Sequence, residues 1–182
     1  MRKTQNQQLR IIGGKWRSRR LNFPEVDGLR PTLDRIRETV FNWLQFKVQG
    51  KRVLDAFAGS GALGFEALSR GAKEVVFLEK NSQATAQIKA NLTLLGATNA
   101  EVCLGDSLKW LEQNSTAFDL VFLDPPFHQG LLQPAIDKLT LSAGALVYIE
   151  HELELKPKWP AGWDELKSKS SKEFCYRLFA VA

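Results

Sequence analysis

Two segments of this chain carry residue types that can do chemistry together. The tetrapeptide Asp124-Pro125-Pro126-Phe127 closes an apolar run, Phe118–Leu123, that reads as a buried strand. Well upstream lies a second strand followed by glycines, Val53-Leu54-Asp55-Ala56-Phe57-Ala58-Gly59-Ser60-Gly61-Ala62-Leu63-Gly64. A glycine-rich turn can hold a nucleotide-like cofactor, and an acidic-Pro-Pro-aromatic loop can hold a planar amine. The pair points to methyl transfer from S-adenosylmethionine to an exocyclic nitrogen of a base.

Such a nitrogen is conjugated to its ring and is a poor nucleophile. Methyl transfer to it needs in-line orientation more than covalent help. If Asp124 and the carbonyl of Pro125 each accept an N–H bond, the nitrogen lone pair can be aimed at the methyl group. Pro125 and Pro126 fix the backbone for this and carry no N–H to compete for the carbonyl. Phe127 supplies a stacking face for a base removed from its neighbours. Asp124 can then stabilise the cation formed on nitrogen and pass its proton to water.

The first glycine segment satisfies G-x-G-x-x-G through Gly59, Gly61 and Gly64, ahead of a helix. Glycines allow positive φ and close backbone approach to a ligand. Glu79 ends the next strand, at the spacing where an acid meets ribose hydroxyls. The same pattern describes a nicotinamide dinucleotide site. Asp55, just before the glycines, separates the two: a carboxylate there suits an ammonium group and repels a pyrophosphate. Asp106, in Gly105-Asp106-Ser107, can accept from an adenine amino group, cap a helix, or do both. The candidate cofactor set is Asp55, Phe57, Gly59, Ser60, Gly61, Gly64, Glu79, Lys80, Asp106 and Ser107.

These residues must be positioned by an α/β frame. The pattern predicts a helix from Thr32 to Gly50, then strands Arg52–Phe57, Glu74–Leu78, Glu101–Leu104, Phe118–Leu123 and Ala145–Glu150. Helices Ala62–Arg70, Ser82–Leu95, Leu108–Gln113 and Leu131–Leu139 fall between them. Near-continuous apolar strands alternating with helices mean a parallel sheet covered on both faces. Asp164–Ser170 and Phe174–Val181 read as an antiparallel hairpin at the sheet edge. The result is a mostly parallel seven-stranded sheet, the layout of Rossmann-like methyltransferases, with ligands expected beyond the carboxyl ends of the strands.

The 182 residues suit one domain with a full core. The net charge of +5 is unevenly placed. Residues 1–20 carry seven basic side chains and no acid, which leaves 18 basic and 20 acidic residues elsewhere. We read 1–28 as a basic N-terminal RNA-binding arm and 29–182 as the methyltransferase domain. A basic arm is the footprint of a polyanionic partner. Its candidate contacts are Arg10, Lys15, Trp16, Arg17, Arg19 and Arg20, joined by Arg30 and Arg35. Trp16 can stack on a base or pack on the domain.

No apolar run has the ~20 residues of a membrane span, and the N-terminus has no apolar signal region. Cys103 and Cys175 lack partners at metal spacing and read as buried thiols in a reducing cytoplasm. No metal cluster, no Ser-His-acid set and no loop cysteine for carbon methylation is apparent. His128 reads as a solvated loop residue and His151 as structural.

Asp55–Gly61 together with Asp124–Phe127 resembles the class I amino methyltransferases. The segments Arg10-Ile11-Ile12-Gly13-Gly14-Lys15-Trp16-Arg17 and Arg30–Leu44 sharpen this to a resemblance to the RsmD family, bacterial methyltransferases of guanine N2 in small-subunit ribosomal RNA. It covers nearly the whole chain. It implies a guanine substrate in 16S ribosomal RNA, S-adenosylmethionine as cofactor and Asp124–Phe127 as the catalytic loop. It also puts Pro31 and Thr32 beside the cofactor. An assembling small subunit is the implied partner and a monomer the expected state. Competing readings are a DNA adenine or cytosine amino methyltransferase, an NAD-dependent dehydrogenase and a non-catalytic RNA-binding protein.

Overall fold

The computed structural model describes residues 7–24 and 34–182. The expectations for Arg30, Pro31 and Thr32 lie outside these residues. Fourteen elements follow in chain order. A hairpin comes first, β1 (Gln7–Arg10) and β2 (Arg20–Phe23), then α1 (Asp34–Trp43). Next are β3 (Arg52–Asp55), α2 (Ala62–Ser69), β4 (Glu74–Glu79), α3 (Ser82–Leu95), β5 (Ala100–Leu104) and α4 (Ser107–Gln113). The chain closes with β6 (Phe118–Leu123), α5 (Leu132–Asp137), β7 (Leu141–Glu152), β8 (Trp163–Ser170) and β9 (Phe174–Val181).

The main sheet has seven strands in the order β5-β4-β3-β6-β7-β9-β8. Strands β3 to β7 pair in parallel, and β9 pairs antiparallel with both β7 and β8. The fold is therefore Rossmann-like, as the alternating pattern required. Successive strand residues serve opposite faces. Val53, Phe77, Leu120 and Phe122 pack beneath the hairpin and α1–α3, while Leu54, Leu78, Val121 and Leu123 pack against α4 and α5. Strand order reverses at β3 and β6, so the loops after these two strands open side by side. That is where a ligand crevice forms in open sheets.

Two segments depart from expectation. The helix begun near Asp34 stops at Trp43 rather than Gly50. Leu44–Gly50 winds on as tight turns, and Phe46 sits at φ 63, which no continuing helix tolerates. The described part of the basic arm is a hairpin seated on the domain, with Leu9, Ile11, Leu21 and Phe23 in the core. Buried Glu66 fastens it, accepting the N–H groups of Ile12 (2.9 Å) and Gly13 (2.8 Å) and the Arg70 Nε (2.8 Å). Arg37 of α1 is 1% exposed; it donates to the Arg10 carbonyl (2.9 Å) and lies 4.0 Å from Glu66.

Candidate active site

A cleft of about 870 Å³ opens at the carboxyl ends of β3, β4 and β6. Its walls bring the two chemical segments together: Asp55, Phe57, Ala58, Gly59 and Ser60 on one side, Asp124–Phe127 on the other. Glu79, Lys80, Asp106 and Ser107 complete the cofactor side. Of the expected cofactor residues that are described, Gly61 and Gly64 alone stand off the cleft wall.

Those two glycines have a packing role. Gly61 is left-handed, at φ 78, and its N–H closes the turn onto the Ala58 carbonyl at 2.7 Å. A Cβ on Gly64 would lie 2.1 Å from the Phe77 ring, so only glycine lets α2 lie this close to β4. A Cβ on Gly61 would likewise meet the Phe65 ring, at 2.7 Å.

Asp55 ends β3 and is 2% exposed. Its Oδ2 accepts the Gly64 N–H at 3.0 Å, which ties the strand end to the first turn of α2. Burial, with help from the neighbouring Asp124 and Glu79 charges, raises its pKa from 3.8 to about 7 against the opposing Gly64 hydrogen bond. Glu79 ends β4 and braces two loops, accepting Gly59 N–H (2.8 Å) and Asn81 N–H (2.7 Å). Each of its oxygens keeps a lone pair for a ligand. Asp106 caps α4 through Lys109 N–H (2.9 Å) on its Oδ1 and remains exposed at the cleft, so the capping role is seen.

Across the cleft, Pro125 is buried and Pro126 and Phe127 are half-buried. The Phe127 ring leans on Phe174 of β9, centroids 5.7 Å apart, which fixes it at the cleft edge. His128 is exposed, at φ 60, and its N–H donates to Glu152 at 3.0 Å. This holds the loop's far end, while the imidazole faces the rim. His151 lies in β7, bonded to the Glu152 carbonyl and to Arg177, a structural position.

Sequence reasoning missed Glu150. It sits one residue past the Leu123–Ile149 pair, so it neighbours Asp124, and it is 4% exposed at the cleft floor. Tyr148 donates its hydroxyl to Glu150 Oε1 at 2.7 Å. Burial, then the Asp124 charge, raises the Glu150 pKa well above its ordinary value. A charged residue ending a buried parallel strand was the available signal. Asp55, Glu79, Asp124 and Glu150 thus give the cleft a partly desolvated floor of carboxyl groups. Such a floor fits a ligand bearing an ammonium and a sulfonium, and opposes a pyrophosphate. Among the described residues, no group of three or more His, Cys, Asp or Glu is arranged to hold a metal ion.

The hairpin cations Arg10, Lys15, Arg17, Arg19 and Arg20 are all exposed, as is Arg35 on α1. Trp16 is 8% exposed within the core, with the Lys15 ammonium 4.1 Å from its ring centroid. Of the two places open to it, packing on the domain is the one it takes.

The family model described as "Conserved hypothetical protein 95" matches residues 9–180. The Escherichia coli K12 protein named ribosomal RNA small subunit methyltransferase D is 45% identical over 177 residues, covering 94% of this chain and 89% of its own length. The Haemophilus influenzae protein of the same name is 46% identical over 180 residues, covering 94% and 93%. The solved structure titled putative methyltransferase yhhF, from Escherichia coli, superposes with a TM-score of 0.88 at 44% identity, covering 96% of this chain and 98% of its own. With its cleft, its sheet order and these relatives in agreement over nearly its whole length, the chain belongs to the "Conserved hypothetical protein 95" family, the RsmD-type methyltransferases.

Proposed function

We propose that this protein methylates the exocyclic N2 amino group of a guanine in 16S ribosomal RNA. The observation that carries this reading is the meeting of Asp124–Phe127 and the Phe57–Ser60 loop across one carboxyl-lined cleft. The cofactor is S-adenosylmethionine, which, when bound, supplies an electrophilic methyl group on a sulfonium. Asp55 holds the ammonium of its amino-acid portion, Glu79 accepts from ribose hydroxyls and Asp106 accepts from the adenine amine. Lys80 and Ser107 line the adenosine side.

The chain's own work is orientation. Asp124 and the Pro125 carbonyl each accept one N–H of the guanine amine, so its lone pair faces the methyl group. Phe127, braced by Phe174, stacks on the base. As nitrogen gains its fourth bond it becomes cationic, and the Asp124 carboxylate stabilises that charge. One N–H proton then leaves through Asp124 to water. RNA rather than DNA is supported by the names its relatives carry and by the basic hairpin on so small a chain.

The test is Asp124→Ala. Turnover should fall by at least a hundredfold, the range for losing one transition-state acceptor, with cofactor affinity and thermal stability kept. Full activity in that variant sinks the mechanism.

A further inference from the structure

Phe46 is 92% exposed and sits at φ 63. A bulky side chain in the left-handed region is strained, and such strain persists where surroundings impose it. Here the turns on either side hold the ring out in water, where an apolar side chain gains nothing from burial. The position lies between α1 and β3, so it belongs to the end of the sheet where the parallel strands begin. The cleft lies at the other end. The length of β6, Phe118–Leu123, separates the two, about 17 Å at ~3.3 Å per residue.

Exposed cations lie on the same turn and on the loop bonded to it. Lys47 and Lys51 are exposed on the same turn, and exposed Lys73 joins them because its N–H donates to the Lys51 carbonyl at 2.8 Å. The loop after α2 is held to the turn through Gly50 N–H on the Gly71 carbonyl, 2.8 Å. That loop begins at Ser69, whose carbonyl accepts the Lys15 N–H at 2.8 Å. The hairpin tip with Lys15 and Arg17 therefore reaches this same end. The acids nearby, Glu74 and Asp119, are engaged by the side chain and the N–H of Arg52 respectively.

We propose that Phe46, with Lys47, Lys51 and Lys73, forms a second RNA-docking site at the opposite end of the sheet from the cleft. An unpaired base stacks on the exposed ring while the lysines hold the flanking phosphates. An exposed aromatic face with cations on neighbouring backbone positions is the chemistry of single-stranded RNA contacts. The proposal rests on the RNA-methyltransferase reading. It adds that a large folded RNA gains affinity by spanning both ends, an advantage that a short stem-loop confined to the cleft lacks.

The test uses Phe46→Gly. Glycine adopts φ 63 without strain, so the variant keeps or raises the melting temperature. With unmodified small-subunit particles, KM should rise about tenfold, within the range for losing one stacked base. The value of kcat and the cofactor Kd should stay unchanged. Methylation of a short stem-loop that fills only the cleft should be indifferent to the change. A photo-crosslinker, p-benzoylphenylalanine, placed at position 46 should attach to ribosomal RNA. An unchanged KM on particles overturns the proposal, as does crosslinking to a ribosomal protein instead. Wild-type protein in the same assay separates the two failures: if it labels no RNA, the underlying functional reading has failed.

Discussion

Cofactor binding should release a proton from Asp55. This carboxyl is buried at the cleft floor and its pKa stands at about 7. If it holds the ammonium of S-adenosylmethionine, only its ionised form binds well. Between pH 5.5 and 7.5 the ionised fraction of such a group climbs from about 3% to about 75%. The cofactor Kd should therefore tighten about 25-fold over that window. The ligand's own α-amino group, with a pKa near ~7.7–8.0, stays protonated below it. Titration calorimetry in buffers of differing ionisation enthalpy should show close to one proton released per cofactor at pH 6. Asp55→Asn should bind weakly with a flat pH profile, because its amide oxygen still accepts the Gly64 N–H but carries no charge. The sign for stability runs the other way. A raised folded-state pKa contributes stability that is fully present below the unfolded value of 3.8 and lost as pH rises through about 7. The gap corresponds to about 4 kcal/mol at most. Cofactor-free Asp55→Asn should then be more stable than wild type at pH 8, by up to that amount, a trade of function for stability. A pH-independent wild-type Kd would refute the reasoning, and the same slope in Asp55→Asn would move its origin to the Asp124–Glu150 pair.

Other perturbations separate structural from functional roles. Glu66→Ala removes the acceptor of the Ile12 and Gly13 N–H groups; urea unfolding should show a loss of about 1–3 kcal/mol for each donor left unpaired, since Arg37 keeps the Asp34 carboxylate. Gly64→Ala drives a methyl into the Phe77 ring and should cost about 1–3 kcal/mol of stability, with calorimetry on the folded fraction giving an unchanged cofactor affinity. Replacing Lys15, Arg17 and Arg19 together by alanine should lower the slope of log K against log salt for RNA by about 2–3, measured by filter binding at several salt concentrations. Removing residues 1–20 outright is a poorer test, because it strips Leu9 and Ile11 from the core.

The sheet was legible because its strands are continuous apolar runs bounded by glycines. Phe118–Leu123 and Ser82–Leu95 have the same limits in sequence and structure. Asp55, Asp124 and the Phe57–Ser60 loop were legible because ligand sites in open sheets follow strand ends. The hairpin was not, because its strands are four residues long and their buried Leu9, Leu21 and Phe23 are scattered among charges. Arg37 was hidden for a related reason: a cation on a helix reads as solvated until a buried partner such as Glu66 is known. The packing demand on Gly64 was not legible either, because the Phe77 ring that would meet a Cβ there lies on a different strand. Phe46 could not be found at all, since nothing local marks a turn that bends to φ 63 without glycine.

The central claim is tested most directly by methyl transfer. Purified protein is incubated with labelled S-adenosylmethionine and unmodified small-subunit particles, free ribosomal RNA or DNA, and the product is digested to nucleosides. The account predicts label in N2-methylguanosine from ribosomal RNA, and none with Asp124→Ala. Label in DNA or in a different nucleoside, or none on any substrate despite cofactor binding, would contradict it.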